Sequence, residues 1–248
     1  MGYVFDFNDA LAYAQCLKDD RTRATAGLDS QLMVDMLKPL RGESLLDIGC
    51  GTGSSLLPFV ELGLEATGLD ASPYMLDIAL QNLKNRVDLY RGVAEDLPFE
   101  DNSFNHAIMV TTLEFVDDPH AAIAEACRVT KDRLFLGVLN RYAFKGLERR
   151  LKGIFSHTIY NHAKFFSIWE LKQMVQSIAG DVPIAWRTIY QLPSISSRLT
   201  QNLEQSSFVQ KCPFGAFMGV VATLVPRFRT KPLTVRYRAK QPTGALTA

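Results

Sequence analysis

Two aspartates and three glycines, at a spacing that suits nucleoside binding, form the most informative stretch of the chain. Gly49, Gly51 and Gly53 stand at alternate positions, and Asp47 precedes them. Glycines at this spacing allow a tight turn and let the backbone approach a ligand where a Cβ would collide. Asp70 follows after about 20 residues, where a carboxylate can accept hydrogen bonds from both hydroxyls of a ribose. The pattern therefore predicts a cofactor that contains a nucleoside.

The charge of Asp47 distinguishes two kinds of cofactor. A carboxylate beside the glycine turn would repel the pyrophosphate of a dinucleotide, whereas it suits a cation. S-adenosylmethionine (SAM) carries a sulfonium and an ammonium and has no phosphate. The glycine spacing GxGxG, in place of the GxGxxG of nicotinamide dehydrogenases, favours the same choice. A nicotinamide dehydrogenase is therefore the disfavoured alternative.

Alternating strands and helices are predicted to position these residues. The predicted strands are 44–48, 65–69, 87–91, 106–111 and 133–139, and the predicted helices occupy most of 8–40 and then 54–62, 73–84, 119–128 and 168–178. This alternation predicts a parallel sheet with helices on both faces. Ligands then bind at the carboxyl ends of the strands, where the glycine turn and Asp70 fall.

The same stretch resembles the class I SAM-dependent methyltransferases, in particular the type 11 group of ubiquinone- and menaquinone-biosynthesis-like enzymes. LLDIGCGTG at 45–53 resembles the first motif of that family, and GLDAS at 68–72 resembles the second. Residues 92–119 resemble the adenine-contacting loop and fourth strand, and residues 126–140 resemble the helix and strand that follow. The resemblance implies SAM as the cofactor, S-adenosylhomocysteine as the product, and a methyl transfer reaction.

The resemblance also implies a doubly wound, seven-stranded, mainly parallel sheet of the Rossmann-like methyltransferase type, with helical cap insertions. Residues 184–190 and 216–225 are expected to form its antiparallel hairpin at the edge. The predicted segments are an N-terminal helical lid over 1–40, a SAM-binding domain over 41–240 with caps at 140–166 and 192–215, and a frayed tail over 241–248.

The cofactor contacts are assigned to the carboxyl ends of the first four strands and to the segments that follow them. The predicted contacts are Asp47, Gly49, Cys50, Gly51, Gly53, Asp70, Ala71, Met75, Ala94, Glu95 and Thr111. Two positions depart from the family pattern. Val93 stands where the adenine loop often has aspartate, so the adenine contact falls to Glu95 or to the backbone, and Asn105 replaces an aspartate at the start of the fourth strand.

The first cap contains the residues that we expect to act on the methyl acceptor. They are Tyr142, His157, Tyr160 and His162, with Glu114 as the next candidate. An imidazole with a pKa near neutrality is a suitable general base. Methyl transfer needs little more than alignment and the exclusion of water, because a sulfonium is already a good leaving group. A catalytic histidine is therefore compatible with the reaction but not required by it.

Composition limits the partners. The formal charge is +1, from 27 basic and 26 acidic residues, so no overall field attracts nucleic acid. The acceptor is expected to be a small molecule. The basic and apolar residues interleaved over 141–155 are either a solvated rim or a surface for an anionic or lipid-like acceptor and for peripheral membrane contact. The alternative function is that of a SAM-binding regulatory or scaffold protein without catalysis.

The four cysteines are far apart and form no CxxC pair or Cys/His cluster, so we expect neither a disulfide framework nor a metal site. The start of the chain lacks the basic and apolar regions of a secretory signal. The longest apolar run, 214–225, is far shorter than the roughly 20 residues that span a bilayer. A cytoplasmic location with no transmembrane segment is expected.

Overall fold

The computed structural model describes residues 2–18, 20–143, 163–189 and 210–225. Its helices are α1 (Phe7–Lys18), α2 (Asp20–Leu37), α3 (Leu57–Glu61), α4 (Pro73–Leu83), α5 (Pro119–Val129) and α6 (Ile168–Ala179), with a 3-10 turn at Arg141–Ala143. Its strands are β1 (Ser44–Ile48), β2 (Glu65–Asp70), β3 (Asp88–Arg91), β4 (Phe104–Val110), β5 (Thr130–Leu139), β6 (Ile184–Ile189) and β7 (Phe217–Thr223).

Within the described ranges, the seven strands form one sheet in the order β3-β2-β1-β4-β5-β7-β6. The pairs among β1 to β5 are parallel, and β7 runs antiparallel to both β5 and β6. Asp47 of β1 lies in register with Gly68 of β2 and Ile108 of β4. The carboxyl end of β1 therefore lies between the carboxyl ends of β2 and β4. The expected seven-stranded, mainly parallel fold and the antiparallel pairing of its last two strands are confirmed.

Two buried clusters cover the two faces of the sheet. Leu46 and Met109 belong to the cluster beneath α5 and α6, whereas Leu45 and Ile108 belong to the cluster beneath α2, α3 and α4. Successive side chains of a strand point to opposite faces, so each buried strand contributes to both clusters. Strands that are covered on both faces read as continuous apolar runs, as residues 134–139 of β5 do, whereas β3 at the edge of the sheet is mainly exposed.

Local signals define the helices that border the site. Ser72 caps α4 by accepting a hydrogen bond from the amide of Met75 at 3.3 Å, and Pro73 occupies the first turn. Helix α6 begins with a capping box, in which Ser167 and Glu170 are bonded reciprocally.

The boundaries differ from expectation in the N-terminal part. Residues 8–40 contain two helices, and Leu32, Met33 and Leu37 of α2 are buried under the sheet. Helix α3 is shorter than the predicted 54–62 because residues 51–56 are turns. Gly51 and Gly53 hold positive φ angles there, of 52° and 77°, which a regular helix does not contain.

Asn140, where the chain leaves β5, is the first residue of one predicted cap and contacts the end of the other. The Asn140 side chain donates to the carbonyls of Pro213 and Gly215 at 2.7 and 2.8 Å, and its backbone forms a bridge with Phe166. Asn140 is 1% exposed. The two insertions therefore meet at one buried amide, although most of each insertion lies outside the described residues.

Candidate functional site

A cleft lies at the carboxyl ends of β1, β2 and β4, where the sheet order predicts a ligand. Asp47 and Gly53 do not line it: Asp47 lies beneath it in β1, and a Cβ at Gly53 would be 2.7 Å from Leu83 of α4, so Gly53 permits helix packing. The predicted cofactor residues that do line the cleft are Gly49, Cys50, Gly51, Asp70, Ala71, Met75, Ala94, Glu95 and Thr111.

The glycine turn packs against the protein at Gly49 and leaves free space at Gly51. The amides of Gly49 and Cys50 donate to the carbonyl of Leu69 at 2.7 and 3.0 Å, which fixes the turn against the end of β2. A Cβ at Gly49 would meet the Thr112 side chain at 2.4 Å, whereas a Cβ at Gly51 would have no heavy atom within 4 Å. Because Gly51 lines the cleft, the space that its missing side chain leaves is open to a ligand.

Asp70 links the turn to the start of α4. Its Oδ2 accepts the amide of Gly51 at 2.8 Å and its Oδ1 accepts the amide of Ser72 at 2.8 Å. Burial holds the pKa of this carboxyl above its ordinary value. The hydrogen bonds from backbone amides lower the pKa, but they offset only part of the effect of burial. Each carboxylate oxygen retains acceptor capacity toward the cleft, so Asp70 is able to accept hydrogen bonds from a diol.

Asp47 is a buried acid with an unused oxygen. Its Oδ2 accepts a hydrogen bond from the hydroxyl of Ser55, a cleft-lining residue, and its Oδ1 has no partner among the described residues. Burial is the main cause that raises the pKa of Asp47 to about 7. A cation in the cleft would stabilise its charged form. The orphaned oxygen and the open side of Gly51 together fit a cationic nucleoside such as SAM.

The loop after β3 supplies the predicted adenine side of the cleft. Ala94 is buried, and Glu95 uses its Oε1 to accept the amide of Asp117 at 2.9 Å. This bond holds the loop after β4 against the loop after β3. A direct contact between Glu95 and adenine stays a prediction, and Val93 contributes no carboxylate to the cleft that it lines.

Thr111 and Thr112 form the turn at the end of β4. Thr111 has φ 51°, which is unfavourable for a β-branched residue and costs on the order of 1–3 kcal/mol. The Thr112 hydroxyl donates to the carbonyl of Ile48 at 2.9 Å, so the turn is tied to the end of β1. The strained turn places both threonines in the wall of the cleft.

Several lining residues have no counterpart in the motifs of the sequence. The aromatic residues at alternate positions 3, 5 and 7 were the one local signal for part of this wall. These lining residues are Tyr3, Phe5, Tyr13, Ser54 and Ser55, and Phe115 lines the cleft from within the motif region 92–119 without having been predicted as a contact.

The candidate acceptor residues are only partly described. Tyr142 is 56% exposed, packs edge-on against Trp169 at 5.8 Å between ring centroids, and does not line the cleft. His157, Tyr160 and His162 lie outside the described residues. A role for these four side chains at the acceptor stays a prediction.

Glu114 is fully buried behind the turn of β4. Its Oε1 accepts the amide of Leu139 at 2.7 Å, and its backbone carbonyl accepts the amide of Lys164 at 2.8 Å. Its Oε2 has no partner among the described residues, and burial raises its pKa to about 8. Glu114 does not line the cleft. Its two hydrogen bonds join the turn of β4 to both ends of the first insertion.

Two kinds of feature are absent from the described ranges. No group of three histidine, cysteine, aspartate or glutamate side chains there is placed to hold a metal ion. None of the helices described is both long enough and apolar enough to cross a membrane.

Comparisons with known proteins agree with this geometry. A family model described as a methyltransferase domain matches residues 46–135. A demethylmenaquinone methyltransferase of Renibacterium salmoninarum is 38% identical over 101 residues, which are 41% of this chain and 42% of that protein. An uncharacterized protein of Methanocaldococcus jannaschii is 32% identical over 151 residues, which are 58% of this chain and 68% of that protein.

Solved structures extend the similarity beyond the motif region. A SAM-dependent methyltransferase of Thermotoga maritima, described as a possible histamine N-methyltransferase, has a TM-score of 0.64 and 28% identity over 88% of this chain and 96% of its own. The magnesium protoporphyrin IX methyltransferase of Synechocystis with bound S-adenosylhomocysteine has a TM-score of 0.61 at 16% identity, over 86% and 93% of the two chains. The chain belongs to the class I SAM-dependent methyltransferases, in the type 11 group. The match spans about two fifths of the length of the demethylmenaquinone relative.

Proposed function

We propose that the protein binds SAM in the cleft and transfers its methyl group to a small-molecule acceptor that approaches from the β4 and β5 side. The observation that carries the proposal is the pairing of Gly51, whose open side faces the cleft, with the carboxylate of Asp70. Bound SAM supplies a methyl group on a positively charged sulfur, which needs no further activation. The chain's own residues then have to bind, align and exclude water.

The proposed contacts follow from the site. Asp70 accepts hydrogen bonds from the ribose hydroxyls, and the backbone of the glycine turn lies against the methionyl part of the ligand. Asp47 favours the cationic ligand through its charge, acting from beneath the turn beside Ser55. The apolar side chain of Met75, which is buried and lines the cleft, covers the base. Thr111 and Thr112 border the end of the cleft at which the acceptor enters.

We propose a proton acceptor in the first insertion for acceptors that must lose a proton. His157 and His162 are the candidates, with Tyr142 and Tyr160 as further polar groups. Replacement of either histidine by alanine should lower the methyl transfer rate and leave SAM affinity unchanged, as expected for a group that acts on the acceptor alone. A loss of SAM affinity as large as the loss of rate would mean that these residues do not act on the acceptor alone.

We also propose a chemical class for the acceptor. The basic and apolar residues over 141–155 favour an anionic or lipid-like acceptor and contact with a membrane surface. Arg141, the one basic residue of that stretch within the described ranges, is bonded to Glu170 at 2.6 Å and to the carbonyl of Phe165. Its charge is therefore already compensated within the protein.

One experiment separates an enzyme from a SAM-binding protein without catalysis. The purified protein is analysed by native mass spectrometry for retained SAM or S-adenosylhomocysteine, and then incubated with labelled SAM and a fractionated small-molecule extract. Release of S-adenosylhomocysteine with matching label in one small molecule supports the methyltransferase. Tight SAM binding with no label transfer in any fraction supports the regulatory alternative. Binding of NADH but not SAM would overturn both.

A further inference from the structure

The N-terminal segment Gly2–Phe5 lies across the cleft and is attached on both sides of it. The amide of Tyr3 donates to the carbonyl of Phe115 at 2.8 Å, beyond the end of β4. The hydroxyl of Ser72 donates to the carbonyl of Phe5 at 2.7 Å, just beyond the end of β2. Because β1 lies between β2 and β4, a segment attached at both ends must cross above the glycine turn of β1. We call Gly2–Phe5 the strap.

Aromatic packing fixes the strap in this position. The Phe5 ring packs edge-on against Phe115 at 5.3 Å and against Tyr13 of α1 at 6.1 Å between centroids. Tyr3 packs edge-on against Phe5 at 5.7 Å, and its hydroxyl donates to Asp9 at 2.7 Å. The hydrogen bond to Asp9 raises the pKa of Tyr3 to about 12, so this phenol stays protonated and serves as a donor.

Two further observations connect the strap to the ligand site. Every residue of the strap lines the same cleft as the glycine turn and Asp70. Ser72, which holds the carbonyl of Phe5, also caps α4 and donates its amide to Asp70 at 2.8 Å. The carboxylate proposed to hold the ribose is therefore one hydrogen bond away from the residue that fastens the strap.

We propose that the strap is a positioning element of the cofactor site, in which Phe5 covers the bound cofactor between its ribose and its sulfur and Ser72 fastens the strap when Asp70 is engaged. This inference rests on the proposed function, since it requires a ligand on the glycine turn. The cofactor then leaves the cleft only after the strap detaches. The acceptor enters by the side that the strap leaves open, near Thr111 and Thr112.

The chain offers a matched pair of variants to test this. Phe5 lines the cleft, whereas Phe7 is 55% exposed, packs against Tyr74 of α4 and does not line the cleft. We expect Phe5→Ala to raise the dissociation rate of S-adenosylhomocysteine about tenfold, because changes within one binding site act mainly on dissociation. Phe7→Ala should leave that rate within about twofold of the wild type.

The measurement is stopped-flow displacement of S-adenosylhomocysteine from the full chain. An increase below about threefold for Phe5→Ala, with the wild type binding normally, overturns the strap proposal and leaves the proposed function intact. An equal increase in the dissociation rate for both variants also overturns the strap proposal, because it would mean that either substitution loosens the N-terminal segment as a whole. If the wild type binds neither SAM nor S-adenosylhomocysteine, the proposed function fails and the strap proposal fails with it.

Hydrogen exchange tests the strap without any substitution, so it remains decisive if Phe5→Ala does not fold. The amide of Tyr3 is the reporter, since its hydrogen bond to Phe115 must open for exchange to occur. Saturating S-adenosylhomocysteine should slow its exchange about tenfold if the cofactor holds the strap closed. Unchanged exchange in a protein that binds the ligand contradicts the proposal.

Discussion

The two sides of the cleft are built in different ways. On the β1 and β2 side, the glycine turn and Asp70 come from one short stretch of sequence and present mainly backbone and one carboxylate. On the β4 side, the wall combines the strap with Phe115, and Glu114 behind it holds both ends of the first insertion. The first side supplies the groups that we propose to hold the cofactor. The second side is assembled from distant segments, and it is where acceptors can differ.

The difference also appears in the buried acids. Asp47 lies beside a cleft-lining serine, and its Oδ1 has no partner among the described residues, so we propose that its charge acts on the ligand. Glu114 does not line the cleft and uses its oxygen to hold Leu139. Burial raises the pKa of both carboxyls, but we assign only Asp47 to cofactor binding. The experiments below separate the two sides.

The largest expected effect on cofactor affinity is its loss in Gly51→Val. A branched side chain would occupy the open space above the turn and would also adopt a left-handed backbone, so affinity should fall by at least about a hundredfold. Gly42→Val is the matched control, because Gly42 also has positive φ with no heavy atom within 4 Å of its Cβ position and does not line the cleft. Calorimetry and circular dichroism decide the matter: a folded Gly51→Val protein with normal affinity contradicts the turn geometry.

Glu114→Gln should change the pH dependence of stability. The native pKa, raised to about 8 from 4.5, means that the folded state retains a proton that the unfolded state has lost between these pH values. The Glu114 contribution to stability therefore falls as pH rises from about 4.5 to about 8 and is constant above that range. Glutamine keeps an acceptor for Leu139, so the variant should gain roughly 4–5 kcal/mol relative to the wild type between pH 4.5 and 9.

Urea denaturation at several pH values measures this gain. Glu61→Gln, at an exposed position, is the control and should show no such gain. Parallel stability curves for Glu114→Gln and the wild type would mean that Glu114 is ionised in the folded protein. SAM affinity of Glu114→Gln should equal that of the wild type, since Glu114 does not line the cleft.

Asp70→Asn should weaken both SAM and S-adenosylhomocysteine by about 1.5–3 kcal/mol, through loss of charge-assisted hydrogen bonds to the ribose. Asp77→Asn, at an exposed position of α4, should bind both ligands normally. Equal affinities of the Asp70 variant and the wild type in calorimetry would remove Asp70 from the site. A loss for SAM alone would mean that Asp70 reads the sulfonium charge and not the ribose.

The smallest expected effect belongs to Tyr142→Phe. Tyr142 is largely exposed, so its hydroxyl should contribute less than about 0.5 kcal/mol to the free energy of unfolding. SAM affinity should not change, and kcat/KM for the acceptor should fall a few-fold if the hydroxyl contacts the acceptor. An unchanged kcat/KM would exclude that contact and leave the two histidines of the first insertion as the candidates.

Much of the fold could be predicted from the sequence because its signals are local. The Ser72 and Pro73 start of α4, the capping box of α6 and the alternation of apolar strands with helices each need only a few neighbouring residues. The observed strand boundaries differ from the predicted ones where tertiary contacts extend a strand. Strands β4 and β5 both start before the predicted residues, and the added residues Phe104 and Thr130 pair with each other. Pairing between distant strands has no signal within either strand.

The sequence by itself determined the glycine turn and the choice of Asp70, because the glycine spacing is a property of neighbouring residues and the acid follows at a fixed, short separation along the chain. Only the tertiary structure decided that Phe5 meets Phe115 above that turn, that Asn140 joins both insertions and that Glu114 is buried. Each of these depends on segments that lie far apart in the chain and that meet only when the strands pair in their final order. Local residue types fix a turn, whereas proximity between distant segments follows from packing.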